Sequence, residues 1–186
     1  MPKLSSPGAI ATIVAVPIAL VVGYASYAFL GDLEDEPEQP DESAVAEPVE
    51  MDPLELGADA LTYCLAVTSS APGEVDGLEQ RPVVGGEGIA EYALAYGDPA
   101  VTAVCGTDPV EVPPTDQVVD VSGVCWLKTP GDDGSIQYAT VDRETAVTVD
   151  VPSDYEQSGG VLGDLSPVIA DKIPALRDAP AGCAAK

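Results

Sequence analysis

The sequence contains no histidine, one tryptophan, one phenylalanine and only seven lysine and arginine residues in 186. Each shortage excludes something. Without histidine there is no serine–histidine triad and no imidazole proton shuttle. The usual zinc spacings fail too, because none of the four cysteines (Cys64, Cys105, Cys125, Cys183) forms a C-x-x-C pair. A net charge of −25, from 32 acidic against 7 basic residues, repels nucleic acid and anionic headgroups, since phosphate contacts need Lys or Arg. Nucleic-acid binding is therefore excluded, and a cationic partner or a bound cation suits the field better. There is no G-x-S-x-G elbow, and "GGEG" at 85–88 lacks the length and the basic residue of a phosphate loop.

The charge is unevenly placed. Lys3 is the only charged side chain before Asp32. The uncharged run at residues 9–30 is long enough to cross roughly 30 Å of hydrocarbon at about 1.5 Å per residue. Tyr24, Tyr27 and Phe29 collect at its far end, where an aromatic belt would lie, and Lys3 favours an N-terminus (residues 1–8) on the cytoplasmic side. The expectation is a single-pass cell-membrane protein with its C-terminal part extracytoplasmic. A signal peptide cleaved after Ala28 is the competing reading, but Phe29 and Leu30 carry the apolar run past that point.

Residues 31–55 hold eleven carboxylates, four prolines and no basic residue. Such a segment buries too little apolar surface to offset its ordering entropy, so it reads as an extended, solvated linker.

The folded part is expected over 56–186. "LGADALTYCLAVTSS" (56–70) has helical apolar spacing, ended by Pro72-Gly73. Strands are expected at 82–84, 90–96 and 100–105, with a turn at Asp98-Pro99, and residues 110–114 read as edge strand or loop. Two short strands follow around Ser122-Gly123. "IQYATV" (136–141) and "AVTVDV" (146–151) alternate in period two after the turn "PGDDG". The spacing of Val161, Leu162, Leu165, Val168, Ile169 and Ile173 predicts a closing helix, with Ser166-Pro167 as a cap and first turn that restarts it. The fold class is α+β, an antiparallel sheet with two helical segments.

Four cysteines on the outer side of a membrane read as two disulfides, with three connectivities possible. Cys105–Cys125, two strand ends about twenty residues apart, is the preferred pair, with Cys64–Cys183 tying the first helix to the tail. A catalytic thiol is disfavoured, because an acidic field raises a thiol pKa. Asp132-Asp133 has the form of a carboxylate dyad or a calcium ligand, but in "PGDDGS" it reads as a hairpin turn without EF-hand spacing. Asp142, Arg143 and Glu144 read as a solvated ion-pair cluster. Trp126 is either core beside Cys125 or an interface anchor; Tyr24 and Tyr27 are further interface candidates. No catalytic, cofactor or metal residue is assigned.

"YGDPAVTAVCG", "VSGVCWL", "VTVDVPSDY", "VLGDLSPVIA" and the terminal cysteine resemble a family of uncharacterised actinobacterial envelope proteins with a domain-of-unknown-function label, over roughly residues 60 to 183. The resemblance implies one N-terminal membrane segment and a small cysteine-containing outer domain, and no activity. Two departures stand out: the family more often has Trp in place of Tyr96, and its third cysteine usually lies a few residues before Cys125.

The expected function is that of a non-catalytic accessory subunit of a membrane protein complex, similar in build to single-span subunits of actinobacterial respiratory supercomplexes of cytochrome bc and cytochrome oxidase. This rests on architecture and not on a site. The alternative is a cell-wall or division scaffold that binds a peptidoglycan enzyme; an uncharacterised hydrolase comes third. Partners are subunits of that complex and the lipid bilayer; no small-molecule substrate and no cofactor is expected.

Overall fold

The segments read as strands at 136–141 and 146–151 lie inside an eight-stranded sheet. The computed structural model describes residues 46–113, 118–155, 158–180 and 183; the expected anchor at 9–30, with Tyr24 and Tyr27, lies outside them. The strands are β1 (Val49–Glu50), β2 (Glu74–Val75), β3 (Leu78–Arg81), β4 (Val83–Val84), β5 (Ala93–Tyr96) and β6 (Val101–Thr107). They continue with β7 (Val118–Val121), β8 (Val124–Pro130), β9 (Ile136–Thr140) and β10 (Ala146–Val151). The large sheet has the order β2-β3-β5-β6-β10-β9-β8-β7 and is antiparallel throughout. β7 to β10 form one meander, which joins β6 through β10, so the β6–β7 connection must cross one face of the sheet.

Two helices cover the other face. Helix α1 (Ala58–Ser70) has Asp59 in its first turn, where a carboxylate complements the helix dipole. It buries Cys64 and Val67 and ends where Ala71 turns extended before Pro72. Helix α2 (Gly159–Lys172) buries Val161, Leu162, Leu165 and Ile169 against the sheet.

The expected restart of α2 does not occur. The helix runs through Pro167, and Ser166, fully buried, accepts a hydrogen bond from Trp126 Nε1 at 3.0 Å. Tertiary packing holds the turn in place of a cap. Trp126 itself has no exposed surface, so it is a core residue and not an interface anchor.

Residues 46–55, which the composition reads as linker, belong to the folded unit. β1 pairs in parallel with β4 (Val49 with Val83, Glu50 with Val84). Arg81 grips the Glu47 carbonyl through Nε at 3.0 Å and Nη2 at 2.6 Å. The close approach of this strap needs glycine. Gly85, at φ +136°, has the Met51 carbonyl where a Cβ would stand, and Gly106, at φ +87°, has the Leu56 side chain there. The folded unit therefore begins at Ala46, ten residues before the expected boundary at 56.

Candidate functional site

The cysteines resolve into different pairs from those expected. Cys64 bonds Cys105, and Cys125 bonds Cys183, with Cα–Cα distances of 5.4 and 5.7 Å. The sheet explains why Cys105–Cys125 cannot form. Cys105 on β6 points toward the helices, where α1 presents Cys64. Cys125 on β8 precedes Trp126, which occupies the helix side, so alternation sends Cys125 to the opposite face. Strands β10 and β9 also lie between β6 and β8. All four thiols are consumed, which leaves no free cysteine.

The remaining candidate chemistry is dispersed. Asp132 and Asp133 sit in the β8–β9 turn, as expected. Asp133 accepts hydrogen bonds from the Ser135 hydroxyl and amide at 2.6 and 3.0 Å, which hold its carboxyl below the usual range.

Asp142 and Arg143 are not solvated: only 8% and 9% of their surfaces are exposed. They form an ion pair at 3.2 Å. Arg143 also donates to the carbonyls of Ile173, at 3.2 Å, and Gly123. The backbone on either side pairs with the segment after α2, through Leu176 N to Asp142 O and Glu144 N to Pro174 O. This guanidinium is buried because it fastens the C-terminal segment, which the triplet Asp-Arg-Glu does not announce. Glu144 remains exposed and accepts from the Tyr63 hydroxyl at 3.2 Å, and its charge raises the Tyr63 pKa.

Buried hydroxyls are likewise committed to the fold. Tyr138 bonds Ser158, and Thr140 accepts from the Val147 amide. Tyr96 donates to the Pro72 carbonyl at 3.0 Å, and burial pushes its pKa up to about 12. Among the described residues no buried side-chain nitrogen or oxygen lacks a partner, and none of their acidic and cysteine side chains cluster as metal ligands.

One open, concave site lies on the sheet face away from the helices. Part of that face is roofed. Cys125, Leu127 and Val141 form a second small core under Val112, from the β6–β7 connection, and Cys183. Beyond this roof a groove of ≈ 410 Å³ runs over β6, β10 and β9. Its floor is Val104, Gln137, Thr148 and Asp150; Met51, Asp52 and Leu54 of the strap form one wall, and Thr107, Asp108 and Val110 the other. The Thr107 and Thr148 hydroxyls bond each other at 2.8 Å, and Gln137 donates to Asp150 at 2.9 Å. Leu54 and Val110 are 39% and 41% exposed at its rims.

A second groove of ≈ 370 Å³ lies beside Arg81, whose fork is already occupied by the Glu47 and Gly97 carbonyls and Asp98. Sequence reasoning missed the first groove. Its walls are a segment read as solvated linker and a loop, and neither carries a motif.

A family model described as "Protein of unknown function (DUF3515)" matches residues 14–177, and the chain belongs to that family. The match begins well before residue 60, where the sequence resemblance starts. No curated protein matches, and no solved structure does.

Proposed function

We propose that this protein works by contact, as a non-catalytic accessory subunit of a membrane protein complex on the outer face of the cytoplasmic membrane. One observation carries the reading. Among the described residues the buried polar side chains are engaged within the fold, while a groove with apolar rims is left open on the sheet. The hydroxyl pair Thr107–Thr148 and the Gln137–Asp150 bond fix the surface of that groove.

The strap supports the same reading. If residues 9–30 hold the chain in a membrane, the tether to the domain is 31–45 and not 31–55. Anchor and groove then engage one partner together, each raising the effective concentration of the other.

Gentle detergent solubilisation and affinity purification of the full chain test this. Co-purified membrane subunits are expected. Haem absorbance in the eluate would identify a respiratory complex, and wall synthases would point to the scaffold alternative. A chain that elutes alone at every detergent concentration overturns the reading.

A further inference from the structure

We propose that the groove over β6, β10 and β9 is the docking site for a short basic and apolar segment of the partner protein. This deepens the contact reading and rests on it: it adds the surface and the chemistry of what the surface receives.

The charge of the site selects the occupant. Asp52, Asp108 and Asp150 surround the groove, and among the described residues no lysine or arginine lines it. Leu54 and Val110 expose apolar surface at opposite rims, with Val104 on the floor between them. Lysine or arginine suits such a surface, because its methylene stem lies on apolar groups while its head reaches a carboxylate. The volume of ≈ 410 Å³ falls within the roughly 300–1,000 Å³ typical of binding clefts.

Other occupants carry the wrong charge. Residues 32–45 of the same chain contain seven carboxylates and no basic residue, and a second copy brings another −25. Both would set like charges against the groove.

The walls are preorganised, which lowers the cost of binding. The Leu54 amide donates to the Tyr92 hydroxyl at 3.0 Å, and the strap is paired with β4. The opposite wall continues into Val112, packed on the second core.

The test titrates the full chain in detergent with a fluorescein-labelled acetyl-(Lys-Leu)₃-amide peptide. The groove triple variant D52N/D108N/D150N is compared with a control triple, D132N/D171N/D178N, which removes the same charge elsewhere. Weakening by about tenfold in the groove triple and less than about twofold in the control is expected, as three modest exposed ion pairs would give. In the wild type, the Val104 and Gln137 amide resonances should shift on binding.

Equal weakening in both triples, with no shift at Val104 and Gln137, would show only a diffuse acidic field and overturn the proposal. Spermine competing as well as the peptide overturns it in favour of a small polycation. Purification from membranes separates this inference from the broader reading. Recovery of the complex by wild type but not by the groove triple supports both. Equal recovery by both proteins overturns groove docking and leaves the contact function standing. No recovery by wild type, with peptide binding intact, overturns the accessory function alone.

Discussion

On its helix side the sheet buries Trp126, Val149, Leu165 and Ile169 in one continuous cluster, with Cys64–Cys105 tying α1 to β6. On the opposite side the buried cluster has three members, Cys125, Leu127 and Val141, flanked by Val118 of β7 and roofed by Val112 and Cys183. One face is closed by two helices with matched apolar stripes. The other is closed by a crossing loop, a tail cysteine and an N-terminal strap, which leave a groove between them. The lesson is a division of labour: the face with regular cover supplies stability, and the face with irregular cover supplies the accessible surface. Because each face has its own disulfide, the two can be perturbed separately.

The largest effect is expected on the helix side. Trp126→Ala removes the biggest fully buried side chain and leaves the Ser166 hydroxyl without its donor. A loss of about 3–5 kcal/mol in chemical denaturation is expected. A loss under about 1 kcal/mol would mean that this face does not dominate stability.

Next comes the opposite staple. Replacing Cys125 and Cys183 together by alanine opens a loop of sequence separation 58 and should cost about 2–4 kcal/mol. Near-ultraviolet signals of the buried Trp126 should persist at low denaturant, because the helix side keeps its own bond. Loss of those signals already in the absence of denaturant would show that the faces are not separable.

A smaller loss is expected from Arg143→Ala, which removes the group that joins Asp142, Gly123 and Ile173. About 2 kcal/mol is expected for hydrogen bonds to a charged group. Amide exchange should rise first at Leu176 and Glu144, which pair across this junction.

The helix side was the legible side. The helical spacing from Val161 to Ile173 reports burial directly, and the apolar runs 136–141 and 146–151 fell close to their expected places as strands, although both faces of those strands are largely buried. The opposite side was not, for three physical reasons. The strap is held by backbone pairing and by Gly85 and Gly106, and backbone bonds leave no side-chain pattern. The cysteine pairs depend on sheet order, which places two strands between β6 and β8. One part was readable: adjacent Cys125 and Trp126 on a strand must face opposite sides, so a core tryptophan already turns Cys125 away from the helices. Arg143 is buried by a chain segment thirty residues later, a long-range contact that no local window holds.

The smallest effect concerns Tyr96, which lies on the helix side and titrates outside the ordinary range. Its ring is fully buried and its hydroxyl donates to the Pro72 carbonyl. Burial disfavours the phenolate, so the folded pKa rises from 10.0 to about 12. In the unfolded chain the proton leaves first, and between those values the unfolded state binds fewer protons than the folded one. Stability from this group is therefore fully present below pH 10 and is lost as pH rises toward 12. Denaturation midpoints of wild type should fall across that window, after subtraction of the same series for Tyr96→Phe. The phenylalanine variant loses one hydrogen bond, about 1 kcal/mol at neutral pH, and should show a shallower alkaline decline. Parallel declines in the two proteins would mean that Tyr96 titrates normally, and that the helix-side core admits water at β5.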